Sequence, residues 1–215
     1  MPLKINEIFF SIQGESSYAG RPCAFVRLTG CNLRCIYCDT QYAYEEGTWL
    51  EILEIVRQVS LFNCRLVEIT GGEPLLQEQT PELIRTLLNQ AFTVLLETNG
   101  SRDIGAVDER CIRILDIKCP SSGESEKNRL ENLDVLTPND ELKFVIGSRQ
   151  DYEYANFILS TFLPDRSHLK PPLLSPVSGK IDTQTLAQWI LQDRLDVRLQ
   201  LQLHKLIWGP EQRGV

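Results

Sequence analysis

The sequence predicts an α/β protein built as an incomplete parallel (β/α) barrel, with fewer helices than strands. Three observations carry that prediction. Runs with period-two apolar alternation are interleaved with amphipathic helical stretches, the pattern of successive β-α-β units. Polar residues recur near the C-terminal ends of the strand candidates: Arg27, Glu68 with Thr70, Glu97 with Asn99, Asp116 with Lys118, Lys143, Ser175, and Gln200, Gln202 with His204. Parallel barrels gather their ligand sites at that rim, and the 215 residues of this chain fall short of the roughly 250 of a full eightfold barrel.

Residues 4–11 read as a first strand and 12–17 as a polar loop. Pro22 to Thr29 alternates as a strand, with Phe25, Arg27 and Thr29 on one face and Ala24, Val26 and Leu28 on the other, so an arginine interrupts an otherwise apolar strand. Thr48 and Glu51 stand in capping-box spacing ahead of Leu53, Ile55, Val56 and Val59, which predicts a helix over 48–60. A strand follows over 66–70, and Thr80-Pro81 opens a helix reaching about Ala91. Strands are expected over 92–98 and 112–119, then a polar stretch over 121–140, read as loop with a short helix or as a mobile lid. A strand over 141–147, a helix over 151–163, a proline-bounded strand over 173–177, a helix over 182–192 and a strand over 198–208 complete the chain. With no repeat, low-complexity tract or linker, residues 1–215 are expected to form one domain.

Composition narrows the function. The net charge of −7 argues against a general nucleic-acid binder, which needs a basic surface, and favours a small-molecule substrate. No apolar run approaches the roughly 18 residues of a membrane span, and the N-terminal residues carry no signal-peptide pattern. Seven cysteines, three of them within one loop, point away from a disulfide framework and towards a reducing cytoplasm.

That loop is Cys31-Asn32-Leu33-Arg34-Cys35-Ile36-Tyr37-Cys38. Three thiolates so spaced can share one iron-sulfur cluster, and a four-iron cubane held by three protein sulfurs keeps one iron open for an outside ligand. A structural zinc knuckle is the plainer alternative, but it takes four ligands and a second cysteine pair, and the sequence has no such pair. Cys23, Cys64, Cys111 and Cys119 lie singly in apolar surroundings and read as small buried hydrophobes.

With Ile69-Thr70-Gly71-Gly72-Glu73-Pro74 downstream, the cysteine loop resembles the radical S-adenosylmethionine (SAM) superfamily, whose fold is a modified, incomplete TIM-like barrel. Within it the chain looks most like the 7-carboxy-7-deazaguanine synthase family of 7-deazapurine (queuosine precursor) biosynthesis. That likeness rests on Phe10-Ser11-Ile12-Gln13-Gly14-Glu15, Phe25-Val26-Arg27-Leu28-Thr29-Gly30, Cys38-Asp39-Thr40, Glu97-Thr98-Asn99-Gly100, Glu141-Leu142-Lys143-Phe144-Val145 and Gln202-Leu203-His204-Lys205.

The resemblance implies a carbon-nitrogen lyase that contracts 6-carboxy-5,6,7,8-tetrahydropterin to 7-carboxy-7-deazaguanine with loss of ammonia, using a 4Fe-4S cluster, SAM and Mg²⁺. It implies Cys31, Cys35 and Cys38 as cluster ligands, and SAM contacts from Tyr37, Cys38, Asp39, Gly72, Cys119, Pro120, Ser121 and Ser175. It also implies Ile12, Gln13, Gly14, Arg27, Thr70 and Val215 around the pterin, Thr40 on magnesium, an electron donor such as flavodoxin, and a homodimer. Glu73 is expected to offer an acceptor to the SAM ammonium. The segment over 116–121 departs from the Ser-Pro-Lys pattern associated with the family. Two other readings share the cysteine spacing: an activase that installs a glycyl radical on a partner protein, and a non-enzymatic iron-sulfur or zinc module.

Overall fold

A computed structural model describes residues 1–165, 167–209 and 212–214. Among these, one nine-stranded sheet runs in the order β3-β1-β2-β4-β5-β6-β7-β8-β9. Its strands are β1 (Leu3–Ile12), β2 (Pro22–Leu28), β3 (Thr48–Leu50), β4 (Leu66–Gly71), β5 (Thr93–Thr98), β6 (Ile112–Ile117), β7 (Glu141–Ile146), β8 (Leu173–Pro176) and β9 (Arg198–Leu199). β1 is antiparallel to both β2 and β3, whereas β2 and β4 to β9 are parallel neighbours. β3 and β9 form the two ends of the order, so the barrel is incomplete, as expected. The helices are α1 (Ile52–Ser60), α2 (Thr80–Asn89), α3 (Arg149–Phe162), α4 (Thr183–Asp193) and α5 (Leu203–Trp208). No described helix is long and apolar enough to cross a membrane.

Period-two alternation builds the site's floor and its rim together. One face of β2, β4 and β5 supplies Ala24, Val26, Leu28, Val67, Ile69, Val94 and Leu96 to the core packed with α1 and α2. Leu115, Ile117, Leu142, Phe144 and Ile146 do the same with α3 and α4. The opposite face starts apolar, with Cys23, Phe25, Leu66, Leu95, Ile112 and Ile114 forming a separate cluster. Further along the same face each strand turns polar, reaching Arg27, Glu68 and Thr70, Glu97, Asp116 and Lys118, and Lys143, all of which line a cavity. Cys23, Cys111 and Cys119 are fully buried, in keeping with their reading as hydrophobes.

Two local expectations are corrected and a third is made more specific. Thr48 does not open a helix: Thr48–Leu50 pairs with Leu3–Ile5, and α1 begins after Glu51, which makes no side-chain capping bond. The outer edge of β1 exposes unpaired backbone groups, and a Thr-Trp segment can satisfy them as a strand. The strand expected over 198–208 lasts only two residues, because β8 spans four and offers little ladder to extend; the chain then coils into α5. The polar stretch over 121–140 is made of short 3-10 turns with Ser122, Asn132 and Leu133 buried. Asn132 Nδ2 donates to the carbonyls of Gly100 and Arg102 at 3.0 and 2.8 Å, and its Oδ1 accepts from Ile104 N at 3.2 Å, so side-chain amides replace a regular ladder there.

Candidate active site

A cavity of about 600 Å³ opens at the C-terminal ends of the parallel strands, within the size range of small-molecule sites. The cluster loop walls one side with Cys31, Cys35, Tyr37 and Cys38, followed by Asp39 and Thr40. Ile12 at the end of β1 with Gln13 and Gly14 just after it, Arg27 from β2, Thr70 from β4 and Gly72 just after β4 also line it. Cys119, Pro120, Ser121 and Ser175 do not. Cys119 is buried in the outer core, Ser121 is bonded through its backbone N–H and its hydroxyl to Asp151, and the buried Ser175 hydroxyl has no partner among the described residues. Val215 lies outside the described residues.

Two glycines let backbone segments meet at this rim. A Cβ on Gly72 would come within 2.0 Å of the Gly30 carbonyl oxygen, and Glu73 N donates to that same oxygen at 2.7 Å, so the Gly-Gly-Glu segment lies directly on the root of the cysteine loop. A Cβ on Gly14 would meet His204 Nδ1 at 2.2 Å, and Leu203 N donates to Gly14 O at 3.0 Å. α5 therefore packs onto the loop after β1, bringing Gln202, His204 and Lys205 to the cavity.

Glu73 does not present a free carboxylate. It is fully buried; one oxygen accepts from Leu75 N and Thr98 Oγ1 at 2.9 and 2.8 Å, the other from Asn99 N at 2.7 Å. The expectation that it offers an acceptor to a cation is corrected: its oxygens are occupied in joining the ends of β4 and β5, and it does not line the cavity.

The cavity floor is a charge network. Lys143 Nζ lies 2.5 Å from Glu15 Oε2, 2.6 Å from Glu97 Oε1 and 3.9 Å from Asp116 Oδ2, while Lys118 Nζ lies 2.8 Å from Asp116 Oδ2. Burial works against the Lys143 ammonium, but Glu15, Glu97 and Asp116 outweigh it and hold its pKa well above the ordinary lysine range. The Glu68 pKa, with the side chain bonded to Gln13 Nε2, is also pushed up, by burial first and then by Glu97 and Glu15, which disfavours its charged form. Asp116 Oδ1 is buried without a hydrogen-bond partner among the described residues, a polar atom suited to a ligand. At the mouth, burial raises the Asp39 pKa but Lys205 Nζ, 2.6 Å away, dominates and brings it to about 2.

Arg27 is already paired. The register sets Glu7 opposite it across β1 and β2, and its Nε donates to Glu7 Oε1 at 2.7 Å, with the guanidinium over the Phe9 and Tyr42 rings. Glu7, Tyr42 and Tyr44 are neighbours that motif reading did not single out, while Glu15, Lys118 and Lys205 were named there only as members of motifs or of the polar rim, without their partners. For Glu7 the cross-strand register was the missing signal; for Lys205 and Glu15 the contacts are long-range.

The radical SAM superfamily profile matches residues 25–155 of the chain. The chain is 46% identical to the 7-carboxy-7-deazaguanine synthase of Koribacter versatilis, over 99% of this chain and 100% of that one, and 48% identical to that of Chlorobaculum tepidum, over 100% and 98%. The chain belongs to the 7-carboxy-7-deazaguanine synthase family of the radical SAM superfamily. The fold agrees with that of QueE from Escherichia coli, at a TM-score of 0.73 and 24% identity over 94% of each chain.

Membership in a radical SAM family implies a 4Fe-4S cluster and SAM, and the residues present fit them. The three thiols are free, partly exposed and line one cavity. No group of three or more His, Cys, Asp or Glu side chains among the described residues is arranged for a single metal ion. Three thiols from one loop lining one cavity suit a cubane, where each thiolate takes a different iron, whereas a structural zinc knuckle takes four ligands.

Proposed function

We propose that this chain contracts 6-carboxy-5,6,7,8-tetrahydropterin to 7-carboxy-7-deazaguanine with release of ammonia. One observation carries the reading: the same cavity joins the three thiols of the 31–38 loop to Arg27, Gln13 and a carboxylate-rich floor, so cluster, SAM and a small heterocyclic acid can share one cavity. Cys31, Cys35 and Cys38 hold the cluster; Tyr37, Asp39 and Gly72 line the SAM side, with Cys119, Pro120, Ser121 and Ser175 behind it. When bound, cluster and SAM supply one-electron, hydrogen-abstracting chemistry, and the protein's part is orientation and exclusion of side reactions.

The substrate side divides by chemistry. Ile12, Gln13 and Gly14 offer backbone groups and one amide to the edge of the pterin, and Thr70 a hydroxyl. A protonated Glu68 can donate as well as accept, which suits a ring edge carrying both kinds of group. Arg27 takes the substrate carboxylate while Glu7 fixes the guanidinium plane. Thr40 Oγ1 donates to Asp39 Oδ1 at 3.0 Å, leaving its lone pairs free for an ion such as Mg²⁺, which keeps few protein ligands. A one-electron donor such as flavodoxin feeds the cluster, and the working assembly is a homodimer.

Anaerobic incubation of the reconstituted protein with SAM, reductant and carboxytetrahydropterin, followed by mass spectrometry, tests the reaction. Deazaguanine carboxylate and ammonia are expected; an intact cluster that cleaves SAM without forming that product rejects the reading. Two variants separate the roles of the carboxylate's partners. Arg27→Ala should weaken pterin binding about 10- to 100-fold at every magnesium concentration, the worth of a charge-assisted bond. Thr40→Ala should instead blunt the response of activity to added Mg²⁺. A wild-type magnesium dependence in Thr40→Ala would remove the metal from this position.

A further inference from the structure

The segment that closes β5 contains Asn99, a side chain with no role in the account above. Asn99 is buried, and its Nδ2 lies 3.8 Å from Cys31 Sγ and 3.3 Å from Asn32 Oδ1. The amide orientation follows from its other end: Oδ1 accepts from Ser101 N at 3.0 Å and from the Ser101 hydroxyl at 2.6 Å. A flipped amide would turn its NH₂ group onto a backbone donor, so the N–H edge is the one facing the sulfur. The backbone of Asn99 is fixed in turn by Glu73, at 2.7 Å. Cys31 Sγ thus receives two donors: Leu33 N at 3.4 Å, internal to the loop, and an amide presented by a different strand.

We propose that Asn99 is a positioning residue that tunes the cluster's reduction potential through a hydrogen bond to the Cys31 thiolate. The inference rests on Cys31 being a cluster ligand. Reduction adds one electron, and the added negative charge is shared with the coordinating sulfurs. A donor on one of those sulfurs stabilises the reduced form more than the oxidised form and raises the midpoint, as hydrogen bonds to cluster sulfurs do generally. Buried Glu73 acts one step further back, holding the strand end that presents the amide.

The test is a redox titration of the reconstituted full chain, monitored by electron paramagnetic resonance without SAM or substrate, with dithionite as reductant. Asn99→Leu keeps the branching at Cγ and removes the donor; Asn99→Asp keeps the shape and places negative charge at the sulfur. Both should load iron at the wild-type level. At the wild-type midpoint the reduced-to-oxidised ratio should fall about tenfold in Asn99→Leu, which is about 59 mV for one electron, and further in Asn99→Asp. A wild-type midpoint in Asn99→Leu with a full cluster overturns the inference. Should that variant fail to load iron, an unchanged midpoint in Asn99→Asp with a full cluster overturns it instead. A wild-type chain that loads no cluster overturns the site assignment, and this inference with it.

Discussion

Replacing any one of Cys31, Cys35 or Cys38 with alanine should abolish cluster loading and turnover while leaving the fold in place. The three thiols are only partly buried, and the loop is positioned by other groups. Gly30 N donates to Ala43 O at 2.8 Å, Ile36 N to Ser122 O at 3.0 Å, and Leu33 is buried at its centre. Losing one sulfur should therefore change stability by about 0.5 kcal/mol or less, as at most positions outside a core. Losing one of three protein ligands leaves two irons of a cubane open and unshielded. Cys64→Ala and Cys111→Ala are the controls: both should keep their iron, the buried Cys111 at a packing cost of about 1 kcal/mol. Iron and sulfide content, thermal unfolding and product formation measure these outcomes together. A single-cysteine variant of the loop with a full cluster and normal turnover, or iron loss in either control, would place the cluster elsewhere.

The second large effect lies away from the cavity, at the start of β6. Asp140→Ala should destabilise the protein by about 3–5 kcal/mol, because it strands a buried guanidinium. Arg113 and Asp140 are 4% and 2% exposed. Asp140 accepts from Arg113 Nε at 3.1 Å and from Arg113 Nη2, and its oxygens also satisfy the backbone N–H of Arg113 and of Thr137, both at 2.8 Å. Alanine removes four or more acceptor contacts and the countercharge in one step. For a chain of this size, at roughly 2–4 °C per kcal/mol, the melting temperature should drop by about 10 °C. Cluster content measured below the transition should be unaffected, since neither residue lines the cavity. A loss below about 1 kcal/mol in denaturant unfolding would mean that water reaches the guanidinium and that the pair is not the anchor its burial implies.

Much of the site was legible from local pattern. The spacing of Cys31, Cys35 and Cys38 and the Gly71-Gly72 pair named the chemistry. The alternation along β2, β4, β5, β6 and β7 placed Arg27, Glu68, Glu97, Asp116 and Lys143 on one face, because a strand's side chains repeat every two residues whatever they pack against. Short segments were different. Thr48–Leu50 became a strand and 203–208 a helix because of which partners were within reach, and intrinsic preference is weak over so few residues.

The pairings that complete the cavity are invisible in the chain order. Lys205 meets Asp39, Gln202 Nε2 donates to Glu15 at 2.7 Å across 187 positions, and Asn99 reaches Cys31. Glu73 shows the limit most directly. Its motif suggests an acceptor waiting for a ligand, yet Leu75, Thr98 and Asn99 use both of its oxygens. The sequence by itself determined the strand faces and the cluster loop, since periodicity and ligand spacing are properties of adjacent residues. Which polar groups remain free for a ligand was decided by the tertiary structure alone, because a donor or acceptor is occupied by whatever the fold brings within hydrogen-bond distance of it.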